Sequence, residues 1–263
     1  MLKPELGLYE SIFKRSSRRN FASIPLSNSH FEELSQLSER IMLHEPNLRI
    51  IISKEGADRV FKSRIGYGMI HSSHSYIALI VKGNELDDLV RLGYYGEWLV
   101  LTATKLGLAT CWVGGTYNRN ATETLLQIKP GETLAAVIPV GDAASEKSMV
   151  EAAMGLFGGI KKRKPIEEIY LGLDSAMLSE WKKTALECVK VGPSAINMQP
   201  WRFIPYENRL RIMAAAGKVN TKMSPIDCGI AMLHFSIGAR QAGMKGSWMA
   251  APDPYLAEFV PED

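Results

Sequence analysis

Arg15-Ser16-Ser17-Arg18-Arg19-Asn20-Phe21 sets guanidinium groups and a hydroxyl at alternate positions. Successive side chains of an extended segment point to opposite sides, so Arg15, Ser17 and Arg19 share one face. Guanidinium forks offer paired donors of fixed geometry, and with a hydroxyl between them they suit a phosphate. The same spacing also fits a solvated basic run or a nucleic-acid contact. A second segment runs from Gly192 to Phe203 and contains Pro193-Ser194-Ala195-Ile196-Asn197-Met198-Gln199-Pro200-Trp201. It starts where a helical pattern stops and ends in a strand pattern, with two prolines pinning the backbone. A rigid loop displaying Ser194, Asn197 and Gln199 suits hydrogen bonding to a planar polar ligand. A capped helix-to-strand connection fits that spacing as well. The third segment, Lys161-Lys162-Arg163-Lys164-Pro165, follows a stretch holding Gly155, Gly158 and Gly159, and by itself it reads as a charged exposed loop.

Other chemistries lack their residues. Ser194 sits in no G-x-S-x-G elbow, so it is not assigned as a nucleophile. His71 and His74 lie three apart without a suitable third ligand, and no metal is assigned. No G-x-G-x-x-G follows a strand into a helix and no P-loop occurs, which argues against a Rossmann domain and a nucleoside triphosphatase.

The elements that must position these segments follow from periodicity. Helical spacing covers Leu6 to Phe13 and Phe31 to Leu43, the latter capped by Ser27 or Ser29. Leu48 to Ile52, Ser75 to Val81 and Leu134 to Val140 are short, branched and apolar, as buried strands are. Gly93 to Leu106 is a helix apolar almost all round, which predicts a central position. Ser145 to Pro165 reads as a long exposed loop. Beyond it, helices are expected at Ala176 to Val191 and Asp227 to Ala242, and strands at Trp201 to Tyr206 and Gly246 to Ala250.

Composition narrows the class without naming the chemistry. The 263 residues are 46% hydrophobic and 22% charged, which excludes collagen-like, low-complexity and wholly disordered chains. Thirty-one Lys and Arg against 28 Asp and Glu leave a net charge of +3, too small to require nucleic acid or a lipid surface. Cys111, Cys188 and Cys228 are widely spaced, as in a reduced protein and not a disulfide scaffold. Met1-Leu2-Lys3-Pro4-Glu5 leads into a charged pattern without a signal-peptide core, and no apolar run approaches the roughly 20 residues of a membrane span. A cytoplasmic protein with no membrane partner is the expectation.

An internal repeat is discernible. Gly93…Ala103…Leu106-Gly107-Leu108-Ala109-Thr110-Cys111-Trp112 lies over Gly229…Ala239…Ala242-Gly243-Met244-Lys245-Gly246-Ser247-Trp248. Each is an apolar helix, then Gly with an aliphatic residue, then a short strand carrying Trp, which predicts two related halves. Taken together, the segments resemble the FMN-dependent nitroreductase family. Arg15, Ser17, Arg19 and Phe21 resemble its N-terminal flavin motif, and Pro193 to Trp201 resembles its P-S-x-x-N-x-Q-P-W loop. Gly107 to Gly115 resembles the segment after the family's central helix. Val140-Gly141-Asp142, followed by Lys161 to Pro165, resembles its closing strand and basic tail.

The order departs from the family pattern, in which the P-S-x-x-N loop closely follows the arginine motif. Here His44-Glu45-Pro46-Asn47-Leu48-Arg49 stands in its place, and the loop appears in the second half. Family members are intertwined homodimers whose flavins touch both subunits, so this chain resembles such a dimer fused into one polypeptide with one composite site kept. The resemblance implies a nitroreductase-like α+β fold of mainly antiparallel sheets flanked by helices, with pseudo-twofold halves at residues 1–172 and 173–263. It implies one FMN per chain, with Arg15, Ser17, Lys161 and Arg163 on the phosphate and ribityl chain. Arg19 would meet the N1/C2 edge of the ring, and the backbone at Gly114 and Gly115 would face N5. Pro193, Ser194, Asn197 and Gln199 would cover the ring. The implied activity takes hydride from NAD(P)H and passes electrons to a nitroaromatic, quinone or similar acceptor, with no catalytic side chain. A monomer becomes possible because the family dimer is internal. The alternatives are a flavin binder without efficient turnover and, more remotely, a nucleic-acid binder built on Arg15, Arg18, Arg19 and the basic run.

Overall fold

In the computed structural model, residues 1–4, 7–62, 70–83, 85–145, 162–172, 178–215 and 223–262 are described. Much of the expected loop at Ser145 to Pro165, together with Lys161, therefore lies outside the described residues. The chain divides into two compact units. One holds Lys14–Asp88 and Leu99–Ile160; the other holds Met1–Phe13, Leu89–Trp98 and Lys161–Asp263.

The first of these units is built on strands β1 (Leu48–Ser53), β2 (Ser75–Lys82), β3 (Ala109–Thr110) and β4 (Glu132–Gly141), in the order β1-β2-β4-β3 and antiparallel throughout. Strand β2 is central and buried at its first seven positions, which explains its unbroken apolar run. Ile51 pairs with Ala78, and Ala78 with Val137. Tyr76, Ala78 and Ile80 alternate onto the face that packs with Ala57 and Val60 of helix α3 (Ala57–Phe61). Leu126, which follows helix α5 (Arg119–Leu125), joins the same core. Helix α2 (Asn28–His44) buries Leu34, Leu37 and Ile41, and its N-cap Ser27 accepts a bond from the His30 amide at 3.2 Å.

The other unit repeats that arrangement with different side chains. Strands β5 (Trp201–Tyr206), β6 (Arg209–Ala214), β7 (Gly246–Met249) and β8 (Ala257–Pro261) run in the order β5-β6-β8-β7, also antiparallel. In each sheet the fourth strand in sequence separates the second from the third. Each sheet also has one long helix between its second and third strands: α4 (Leu86–Lys105) in the first and α8 (Ser224–Gln241) in the second. The core is aromatic. Phe235 of α8 stacks on Phe203 at 5.1 Å and meets Phe259 edge-on at 5.0 Å, while the Trp248 indole donates to Ser236 Oγ at 2.9 Å.

Helix α8 is buried on all sides from Ser224 to Gly229, because other helices cross it closely. A Cβ on Gly229 would lie 2.0 Å from the Val90 carbonyl oxygen of α4, and one on Gly93 would lie 2.0 Å from that of Ile226. The contact is reciprocal: each glycine faces the carbonyl three residues before the other. Farther along, a Cβ on Gly238 would lie 2.7 Å from Ala185 Cα in helix α7 (Glu180–Lys190). His234 links all three helices while fully buried. Its Nδ1 lies 2.9 Å from the Cys188 carbonyl, which can only accept, so Nδ1 carries hydrogen. Its Nε2 is hydrogen-bonded to Glu97 Oε1 at 2.9 Å.

The expected helices and strands appear with shifted ends. Helix α1 spans Tyr9–Lys14, α4 begins at Leu86 and not Gly93, and α8 begins at Ser224 with Pro225 in its first turn. Sequence reasoning missed α3, α5, helix α6 (Ile166–Ile169), β6 and β8. The three helices are too short to show a helical period. Strand β6 does alternate, burying Leu210 and Ile212 on either side of Arg211, but its polar positions hide it beside the apolar strands. Among the described residues no helix is long and apolar enough to cross a membrane.

Replacing Gly93 or Gly229 by Ala forces a methyl group into a backbone carbonyl that cannot yield. Each change is expected to cost about 3 kcal/mol or more, read as a lowered urea midpoint. Leu43→Ala, at a side chain 88% exposed, should stay within about 0.5 kcal/mol of the parent. A Gly229→Ala protein as stable as the parent would contradict the crossing.

Candidate functional site

The predicted site residues fall into two groups, one in each unit. Arg15, Ser17 and Arg19 lie in an extended segment bound to the end of the first sheet. Ser17 bridges Thr110 of β3, and the Arg18 amide donates to the Thr110 carbonyl at 3.0 Å. Further on, the His71 amide donates to the Arg19 carbonyl at 2.8 Å, and the Phe21 amide to that of His71 at 3.1 Å. These bonds tie the segment, at Ser17, Asn20 and Phe21, to neighbouring segments in sheet-like fashion. The Arg15, Ser17 and Arg19 side chains are partly exposed, and the Arg18 guanidinium turns to the Ala144 carbonyl at 3.0 Å.

Gly114 and Gly115 follow Val113, whose amide and carbonyl both bond to Val137 of β4. The chain then leaves the sheet, and among the described residues no atom beyond Gly115 and its chain neighbours lies within 4 Å of a Cβ built on Gly115. That open backbone lines a cavity of about 1220 Å³ that also takes in Lys62, His71, His74, Tyr117 and Arg119. His71 and His74 thus reach a cavity wall although they form no metal set. Among the described residues no cluster of His, Cys, Asp or Glu fits a metal ion.

In the other unit Arg163, Pro193, Ser194, Asn197 and Gln199 converge. The loop between α7 and β5 contains a single 3₁₀ turn, Ala195–Asn197, and takes positive φ at Ile196 (44°), Asn197 (59°) and Gln199 (48°). Left-handed backbone costs a residue with a side chain about 1–2 kcal/mol and persists only where its surroundings impose it. Here they do. Gln199 is 2% exposed, and its amide is spent within the protein. Oε1 accepts from the Lys164 amide at 2.9 Å, while Nε2 donates to the carbonyls of Lys162 and Asn197, each at 3.1 Å. Ser194 Oγ accepts from the Gln199 amide at 2.9 Å. Arg163 donates to the Gly192 carbonyl at 2.7 Å and to Asn197 Oδ1 at 3.1 Å, and Asn197 Nδ2 donates to the Lys162 carbonyl at 3.0 Å. The basic run and the proline-pinned loop, distant in sequence, are one hydrogen-bonded body. Gln199 serves as its internal brace.

Sequence reasoning missed Asp227 as a member of this group. Its carboxylate, in the first turn of α8 and 2% exposed, accepts the Ala195 amide at 3.1 and 3.2 Å. The available signal was a single acid at the head of an otherwise apolar helix. Burial raises its carboxyl from 3.8 to about 7, against the lowering pull of the Ala195 amide. Burial likewise lowers Lys164, with Arg202 adding to it.

The two four-stranded antiparallel sheets, each with helices, define an α+β protein of the nitroreductase fold. Residues 7–239 match the family described as Putative TM nitroreductase, and the chain belongs to that family. The chain is similar to a crystal structure of a putative nitroreductase from Thermotoga maritima, at 20% identity and a TM-score of 0.63, over 99% of this chain and 95% of that one. A nitroreductase family protein from Clostridium difficile 630 is 18% identical with a TM-score of 0.47, covering 65% of this chain and 98% of its own. A nitroreductase with bound FMN from Desulfitobacterium hafniense is 16% identical with a TM-score of 0.44, over 54% and 93%. No curated protein matches the chain.

The raised Asp227 carboxyl carries a stability consequence. Between about pH 4 and pH 7 the folded protein holds a proton there that the unfolded chain releases, so this group makes stability fall as pH rises through that window. The full effect, about 4 kcal/mol, is present above pH 7. Urea unfolding across that range should show a shallower decline for Asp227→Asn than for the parent. Equal slopes would remove the burial penalty from Asp227.

Proposed function

We propose that this protein is an FMN-dependent oxidoreductase that takes hydride from NAD(P)H and delivers electrons to a nitroaromatic, quinone or similar acceptor. The observation that carries the reading is the joining of Arg163 to the strained Pro193–Gln199 loop, in a chain that also holds the Arg15-Ser17-Arg19 face and the open backbone at Gly115. The donor set suits the cofactor. The Arg15 guanidinium and the Ser17 hydroxyl suit a dianionic phosphate, and the Arg19 guanidinium supplies a further cation for the ring. A glycine with open space at its Cβ position admits a flat ring close to the backbone.

FMN, when bound, supplies hydride acceptance and release at N5, so no acid or base side chain is required. Arg15 and Ser17 would hold the phosphate and ribityl hydroxyls, the role also assigned to Lys161 and Arg163. Arg19 would supply a fixed cation toward the polar edge of the ring. Gly114 and Gly115 would offer open backbone to the reacting side of the ring. Pro193, Ser194 and Asn197 would cover the ring, with Gln199 keeping their loop in shape.

In this reading the chain is a family dimer fused into one polypeptide, with halves at 1–172 and 173–263 and one surviving site, and it can act as a monomer. The shared strand order of the two sheets supports it, as does the reciprocal approach of Gly93 and Gly229. Reciprocal contacts between equivalent positions are what a twofold interface imposes. The same glycines align in the sequence repeat. The small net charge leaves nucleic acid without a role, and the reading places the protein in the cytoplasm.

Flavin titration should saturate at one FMN per chain. Arg15→Ala and Arg163→Ala are expected to weaken binding about tenfold or more, whereas Arg209→Ala, whose guanidinium pairs with Glu258, should not. Equal losses from all three would contradict the assignment. Anaerobic NADH or NADPH should then bleach the bound flavin. Flavin that stays oxidised with both would overturn the donor.

A further inference from the structure

The loop carrying Ser194, Asn197 and Gln199 owes its shape to more than its own side chains. Three of its residues, Ile196, Asn197 and Gln199, sit in left-handed backbone, and Ile196 does so with a branched side chain that is 86% exposed. An exposed side chain gains nothing from packing, so Ile196 has no local compensation for that conformation. The compensation has to come from the backbone. Within the turn, the Asn197 amide donates to the Ser194 carbonyl at 3.0 Å and the Met198 amide to that of Ala195 at 3.0 Å. The amide of Ala195, which opens the turn, donates outward to both carboxylate oxygens of Asp227.

Asp227 is an uncommon choice for that acceptor. A carboxylate 2% exposed is costly to keep, and a backbone carbonyl or a hydroxyl would accept the same hydrogen without a charge. Its place on α8 is also particular. It lies two residues before Gly229, whose missing side chain seats the helix against Val90. The carboxylate therefore stands on a helix end held by that close crossing. Among the described residues, the ionisable groups at this corner are the buried thiol of Cys228, next along α8, which feels both Asp227 and Arg202 of β5, and beyond Arg202 the side chains of Lys164 and Glu168.

We propose that Asp227 is a positioning residue for the cofactor loop: by accepting the Ala195 amide from a rigid helix end, it holds residues 194–199 in the conformation, left-handed at Ile196, Asn197 and Gln199, that presents them to FMN. This role rests on the FMN reading above for its consequence, but not for the loop geometry itself. A charged acceptor binds an amide about twice as strongly as a neutral one. The carboxylate form therefore holds the loop more firmly than the carboxylic acid, and burial sets the change between them near neutral pH. Cofactor affinity accordingly gains a pH dependence from a residue that does not touch the cofactor.

Asp227→Asn keeps an oxygen acceptor but cannot ionise, whereas Asp227→Ala removes the acceptor. Two readouts separate the possibilities. The first is FMN binding, followed by quenching of flavin fluorescence between about pH 6 and pH 8. At the upper end Asp227→Ala should bind about tenfold or more weakly than the parent, with Asp227→Asn within about threefold. The parent's affinity relative to Asp227→Asn should rise about threefold across the range; titration of the FMN phosphate is common to both and cancels. The second readout needs no flavin: amide hydrogen exchange of residues 194–199 at fixed pH should be faster in Asp227→Ala and near the parent's in Asp227→Asn. Unchanged exchange in Asp227→Ala overturns the proposal, as does a parent pH profile that persists in Asp227→Asn. If the parent binds no FMN, the functional reading fails, and exchange alone then decides whether Asp227 holds the loop.

Discussion

The close crossing of α4 and α8 is the contact on which the other arrangements rest. Two glycines remove the side chains that would otherwise keep the helix backbones apart, and each lets the opposing helix place a carbonyl where a Cβ would be. Helices usually pack about 8–10 Å apart, and only small residues permit a tighter approach. Once α8 is seated in this way, Asp227 at its head and His234 near its middle take fixed positions. The Phe235 ring is likewise fixed against β5, β7 and β8. A methyl group at either glycine would disturb all of them together.

From that seat the Pro193–Gln199 loop is held by polar contacts more than by apolar burial. Gln199, Ser194, Asn197 and Arg163 exchange hydrogen bonds with one another and with the backbone of residues 162–164. A partly buried network of this kind, centred on the buried Gln199 side chain, specifies one conformation when its donors and acceptors are matched. Its strained backbone is consistent with a functional role, since left-handed residues with side chains persist mainly where the surroundings demand them. The arginine face of the first sheet is organised differently, by strand-like bonds to Thr110 and His71 that leave its side chains partly exposed.

Much of the fold was legible before the structure. Strand β5 spans the expected Trp201 to Tyr206, and β1 and β2 each run one residue past the expected end, because short branched apolar runs have few other places to go. The all-round apolar character of Gly93 to Leu106 correctly marked a central helix. Strands β6 and β8 were not legible. Their alternation is short, and their apolar residues become recognisable as core only when Phe203, Phe235 and Trp248 close around them. In the candidate site, the residue types of the 193–199 loop were readable from its spacing. The internal bracing by Gln199 was not, because its partners at Lys162 and Lys164 are more than thirty residues away.

By itself, then, the sequence determined the class of fold, the segments whose side chains suit an anion and a planar ligand, and the alignment of Gly93 with Gly229. Those properties reside in local periodicity and side-chain chemistry, which need no knowledge of what lies across the core. Only the tertiary structure decided that the aligned glycines touch each other's helices, that Gln199 faces inward, and that Asp227 anchors Ala195. Each of these depends on which groups burial brings together and on the need to satisfy every polar atom so enclosed, and neither is written in the spacing of residues along the chain.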